Sequence, residues 1–205
     1  SRVADVMSRT LAANCSVDAI RRRRWTLVVV DSPDISATVM PSGLVMVGTG
    51  LAAAANDDQL SIIVGHELAH YLLRHVNQIN SVAVVVTALC LAPVTAAVCA
   101  ALPLGWNVLA YLLSVAVLRV CFVLPFVRLY ESEADHVGLQ LAAKACVDVA
   151  QGYLFFDAMS EKDGCASKLF WWLYMHPTNR RRARHLYSLI PRGHGAHDNG
   201  QLLVG

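Results

Sequence analysis

The sequence predicts an α+β chain, mainly helical, with a small sheet in its first quarter and an apolar helical hairpin in its middle. Three observations carry this expectation. Two short β-branched runs, Thr26–Val30 and Leu44–Val47, stand among longer segments with helical spacing of apolar residues. No charged side chain occurs from Val76 to Leu118. His66 and His70 flank Glu67 in an H-E-x-x-H pattern, which brings the two imidazoles to one side only if the segment is helical.

Taken in order, Val3 to Cys15 has the apolar spacing of a helix, and the strand Thr26–Val30 follows the basic run Arg21–Arg24. The Pro41-Ser42-Gly43 turn leads into the second strand. Asn56 followed by Gln59 is an N-terminal capping pattern, so a helix should start near Asp57 and run past His75. The apolar stretch, which continues past Arg119 to Val127, divides at Pro103-Leu104-Gly105-Trp106-Asn107 into Ser81–Leu102 and Trp106–Val127, each 22 residues and near the length of one membrane span. Glu131-Ser132-Glu133-Ala134-Asp135 opens a further helix reaching about Ala145, and Asp148 with Gln151 marks another start. Glu161–Lys168 reads as a polar loop, and Met175-His176-Pro177 precedes a basic helix with Arg180, Arg181, Arg182 and Arg184. No repeat or linker divides the chain, so residues 1–205 are expected to form one domain, with 81–127 inserted between the two motif helices.

The chemistry sits in His66-Glu67-Leu68-Ala69-His70. Positions i and i+4 of a helix can offer two ring nitrogens to one metal ion, and a glutamate beside that ion can accept a proton from an attacking water and pass it to a leaving amine. A catalytic zinc normally takes three protein ligands, so a third must come from elsewhere. Glu131 and Asp135 share a helix face at i, i+4, which suits Glu131 to the metal and Asp135 to the free N–H of a ligating histidine. Glu133 points about 200° around the helix from Glu131 and falls outside such a site. Read alone, the three acids would equally suit a helix N-terminus stabilised by the macrodipole.

The combination of HELAH, the later E-x-E-A-D and a late His-Pro resembles the membrane-associated zinc metallopeptidases that include bacterial HtpX and the type I CAAX prenyl protease. Val30-Asp31-Ser32-Pro33, Met40-Pro41-Ser42-Gly43, Val47-Gly48-Thr49-Gly50, Leu141-Ala142-Ala143-Lys144-Ala145-Cys146 and Leu189-Ile190-Pro191 are similar to the Oma-type mitochondrial branch. The resemblance covers Trp25 to Pro191. It implies a gluzincin-like zincin fold, one Zn2+ held by His66, His70 and Glu131, and Glu67 as catalytic base. It also places His176 near the site, where the ring could donate to an oxyanion or serve only as a turn residue before Pro177, and matches Arg182 to a recurrent family arginine whose role could be structural. It implies membrane-anchored protein substrates, among them the inner-membrane dynamin-like GTPase, a mitochondrial inner-membrane location without any targeting segment in this chain, and a possible homo-oligomer. The chain departs from the family at Val127-Arg128, where a Ser-Arg pair is common. In zinc peptidases of this architecture an edge strand ahead of the histidine helix pairs with the substrate backbone; Leu44–Gly48 is the candidate, its alternative being an interior strand.

Composition fits a bilayer partner: the chain is 56% hydrophobic and 16% charged, with mean hydropathy +0.46. A net charge of +2 suggests no nucleic-acid partner. The six cysteines lack C-x-x-C spacing and read as small buried residues rather than a disulfide set. Because the proposed ligands flank the apolar run, any crossings must be even in number. Two crossings make a hairpin, and zero would make a soluble zincin core. Against the hairpin, Arg119 is costly near a bilayer centre unless it snorkels towards the interface. An HtpX-type bacterial protease or a non-catalytic metal-binding membrane scaffold are the remaining alternatives.

Overall fold

A computed structural model of the chain describes residues 1–101, 103–162 and 179–190. It divides into two compact units: Ser1–Leu73 with 132–162 and 179–190, and Arg74–Glu131.

The first unit begins with helix α1 (Arg2–Ala13), which buries Val3, Val6, Met7 and Thr10, followed by the short α2 (Asp18–Arg21). Strands β1 (Thr26–Val30), β2 (Ala37–Val39) and β3 (Leu44–Gly48) form a sheet in the order β1-β3-β2. β3 runs parallel to β1, with Thr26 opposite Leu44, and antiparallel to β2, with Val39 opposite Val45. Gly43 closes the β2–β3 turn at φ 87°, a left-handed conformation that a residue with a Cβ rarely adopts. Leu44–Gly48 is therefore the central strand, so of the two positions open to it, edge or interior, the fold takes the interior one. The three-residue β2 carries the sheet's other edge and was not anticipated, being too short for an alternation signal.

Helices α3 (Thr49–Ala54) and α4 (Asp57–Leu72) follow. The capping box is formed: Gln59 N–H donates to Asn56 Oδ1 at 2.8 Å and Asn56 N–H donates to Gln59 Oε1 at 3.0 Å. α4 stops at Leu72 instead of running past His75, because Arg74 adopts the left-handed conformation at φ 57° and a new helix starts at His75. Neither Gly nor Pro announces this break, and an L-residue pays about 1 kcal/mol to make it. Within the unit, α8 (Leu124–Lys144, from Ser132 onward), α9 (Ala150–Lys162) and α10 (Asn179–Leu189) complete the core. That core gathers Val45 and Val47 of β3, Leu60 and Ile62 of α4, Leu139 and Ala142 of α8, Phe155 and Phe156 of α9, and Ala183 and Leu186 of α10. Buried polar bonds tie α1 into it: Asn14 donates to the Leu141 carbonyl at 2.9 Å, and Thr10 and Ser61 hydroxyls lie 2.7 Å apart.

In the second unit, α5 (His75–Val86) passes through a π-helical segment, Thr87–Leu91, into α6 (Ala92–Ala101). α7 (Leu104–Leu118) passes through a matching π-helical segment, Arg119–Val123, into α8. These give two apolar helical runs, His75–Ala101 and Gly105–Lys144, each long enough to cross a bilayer. Their apolar side chains are exposed, with Leu89 at 72%, Val84 at 67% and Trp106 at 65%, so they do not form the buried core of a soluble protein. At the base of the hairpin the buried His75 ring stacks on Tyr130 at 4.8 Å.

Candidate metal centre

The helical spacing of α4 brings His66 and His70 to one face, where their Nε2 atoms lie 3.1 Å apart with rings at 76°. Two nitrogens bound to one tetrahedral zinc, each at about 2.0–2.1 Å, would stand about 3.3 Å apart. Glu131 of α8 completes the group: His66, His70 and Glu131 offer ligand atoms all within 4.8 Å of one another. The acidic motif lies inside α8, seven residues after Leu124, rather than at a helix start. This removes the macrodipole explanation for its charges. Glu131 and Asp135 are each 3% exposed, whereas Glu133 is exposed, as the helix phase predicts.

Two glycines set the approach of α4 to α8. A Cβ on Gly65 would stand 2.6 Å from the Gly138 carbonyl oxygen, and a Cβ on Gly138 would stand 2.6 Å from both Cα and N of His66. No larger residue fits at either position without separating the helices. That close approach puts Asp135 behind His66. His66 Nδ1 donates to Asp135 Oδ1 at 2.9 Å, which fixes the tautomer and leaves the Nε2 lone pair for a metal.

Arg182 of α10 donates through Nη2 to the same Asp135 oxygen at 2.5 Å. The guanidinium also lies 3.0 Å from His66 Nδ1. Both are donors while His66 binds Asp135, so this proximity follows from sharing one acceptor. Phe156 of α9 lies under the guanidinium, 4.2 Å from ring centroid to Cζ, and holds the arginine by a cation–π contact. Burial alone would raise the Asp135 pKa. The charge of Arg182, with hydrogen bonds from His66 and Arg182, outweighs it and holds the carboxyl below the usual carboxylate range.

Glu67 is half-buried on α4, adjacent in sequence to His66. His176 lies outside the described residues. Helical period marks the two histidines, Glu131 and Asp135, whereas Gly65, Gly138 and Arg182 carry no local signal of their place at the site. Arg182 sits in a basic run that looks like solvated surface, yet its side chain is only 12% exposed. The two imidazoles and one carboxylate form the donor set that suits a divalent metal such as zinc.

A model of peptidase family M48 matches residues 1–190. The chain is 38% identical over 192 residues to the cattle (Bos taurus) protein named metalloendopeptidase OMA1, mitochondrial, covering 91% of this chain and 36% of that protein. It is 40% identical over 172 residues to the zebrafish (Danio rerio) protein of the same name, covering 82% and 36%. Against the mitochondrial metalloendopeptidase OMA1 of the fission yeast Schizosaccharomyces pombe the identity is 30% over 186 residues, covering 90% and 52%. The chain thus spans about a third of the length of these vertebrate relatives and about half of the yeast one.

Proposed function

The chain belongs to peptidase family M48, and on that footing we propose that it is a zinc-dependent metalloendopeptidase cutting membrane-associated proteins in quality control at the mitochondrial inner membrane. The observation that carries the reading is the His66, His70, Glu131 cluster with Glu67 beside it and Asp135 bonded to His66. His66, His70 and Glu131 would hold one zinc ion. When bound, zinc supplies Lewis acidity, polarising the scissile carbonyl and lowering the pKa of water. Glu67 accepts the proton released as water attacks and delivers it to the departing amine. Asp135 keeps His66 in the ligating tautomer, and Arg182 keeps Asp135 ionised behind it. His176 would donate to the oxyanion.

β2 is the strand proposed to take the extended substrate backbone. It packs against α4, and its outer edge pairs with no strand among the described residues. Membrane-anchored substrates suit the two exposed apolar helices, which a soluble zincin would have no reason to keep. The resemblance extends the proposal to the inner-membrane dynamin-like GTPase as one substrate, and to a homo-oligomer. A metal-binding scaffold would not need Glu67.

The test is Glu67→Gln, which keeps the shape of the side chain and removes the base. Cleavage of a membrane-tethered substrate should fall by roughly 10²-fold or more while zinc content stays at one per chain. Full turnover at normal zinc occupancy would assign the proton transfer to another group.

A further inference from the structure

We propose that the groove inside the helical hairpin is a binding site for an anionic phospholipid, one acyl chain lying in the groove and the phosphate paired with Arg119. This rests on the reading that the hairpin spans a bilayer. The groove has a volume of about 320 Å³ and runs between Ile79, Thr87 and Leu91 on one helix and Val115, Arg119 and Val127 on the other. All but Thr87 and Arg119 among its lining residues are apolar. The two π-helical segments, Thr87–Leu91 and Arg119–Val123, each lie against the other helix of the pair. A π turn widens its helix by one residue, and such turns recur at functional sites.

Arg119 has no hydrogen-bond or ion-pair partner among the described residues. No Asp or Glu occurs from Leu68 to Tyr130, so the hairpin cannot neutralise it from within. The same absence argues against a second copy docked on this face, which would bring another unneutralised arginine. A transmembrane helix of a partner is too thick: with a diameter of about 10 Å, less than one 5.4 Å turn would fill the groove. A lipid chain is thin enough.

Depth places the charge. If the hydrocarbon layer starts at the Pro103 turn and takes about 20 residues of α7 and its continuation, it ends near Leu124. Arg119 then lies about 7 Å inside that boundary, within reach of a phosphodiester for a snorkelling arginine. The groove continues inward to Leu91 and Val115, where an acyl chain would lie. A cationic, otherwise apolar gap between two transmembrane helices is the general form of an anionic-lipid site.

The experiment reconstitutes the full chain in nanodiscs of equimolar phosphatidylglycerol and phosphatidylcholine and weighs retained lipid by native mass spectrometry. Arg119→Gln should lower the retained phosphatidylglycerol-to-phosphatidylcholine ratio roughly fivefold. Leu91→Trp, which fills the groove, should lower retention of both lipids, and Arg128→Gln should leave the ratio as it is. Zinc content measured alongside reports that each variant is folded. An unchanged ratio in Arg119→Gln, or an equal fall in Arg128→Gln, would overturn the proposal. So would Arg119→Gln and Leu91→Trp sparing lipid while reducing crosslinking of a tethered substrate to the hairpin. A chain that fails to enter nanodiscs and is released by carbonate would sink the membrane reading and the lipid site together, whereas entry without lipid selectivity sinks the lipid site alone.

Discussion

A single carboxylate oxygen, Oδ1 of Asp135, accepts from both His66 and Arg182, and this shared acceptor ties α4, α8 and α10 together behind the candidate site. Asp135 is 3% exposed, so its charge is tolerable only because both donors face it. Arg182→Ala should therefore destabilise the protein by about 3–5 kcal/mol, read from urea unfolding, and Arg182→Lys should recover part of that loss. The lowered Asp135 pKa also sets a pH dependence. Its contribution is present above the unfolded carboxyl value of about 3.9 and is lost as pH falls through the lower folded value. In metal-free protein, the stability gap between wild type and Asp135→Asn should be constant near neutrality and shrink below about pH 4. A gap that widens on acidification would contradict the assigned direction. At the ligands, His70→Ala and Glu131→Ala should lose zinc by metal analysis and Glu133→Ala should keep it, because Glu133 lies on the exposed side of α8. Zinc loss in Glu133→Ala with retention in Glu131→Ala would reverse the ligand assignment.

Helices α4 and α8 meet through glycine backbone, and here local and tertiary effects have opposite signs. In an isolated helix, Gly138→Ala would stabilise by about 1 kcal/mol, since alanine is the better helix former. In this fold the added Cβ would stand 2.6 Å from the His66 backbone, so α4 and α8 must separate. Gly138→Ala should weaken zinc binding by at least about tenfold, the scale of disturbing an outer partner of a ligand, with helix content by circular dichroism unchanged. Gly105→Ala is the control, since a Cβ there meets nothing within 4 Å. Equal behaviour of the two variants would mean that the helix crossing does not position the metal ligands. The turn at Arg74 is another departure from local expectation. The repeated apolar pattern continues through it, so only the positive φ of one arginine separates the motif helix from the hairpin.

Across the whole chain, the apolar run separates His66 and His70 from Glu131, so a membrane reading requires an even number of crossings. A protease-accessible tag inserted at Asn107 should be cut from one side of sealed vesicles while a tag at the C-terminal end is protected, and the protein should resist carbonate extraction. Tags cut from the same side, with carbonate release, would make the run interfacial. Asn80 and Glu131 on opposite sides would remove the single metal site and the peptidase reading with it.

The sequence alone determined which residues the proposed chemistry rests on and the secondary elements that locally patterned residues specify. Helical period puts His66 beside His70 and Glu131 beside Asp135, a capping pair starts α4 at Asp57, and the uncharged run marks the hairpin. These features are legible because each rests on neighbouring residues or on one continuous stretch of the chain. Tertiary structure alone decided which strand is central, since strand order depends on pairing partners far apart in the chain and a three-residue edge carries no period of its own. It also decided the parts played by Arg182, Gly65 and Gly138. An arginine in a basic run and a glycine in a helix look alike in sequence whether exposed or buried, and only the approach of α10 and α8 to α4 makes one the clamp on Asp135 and the others the contact that positions it.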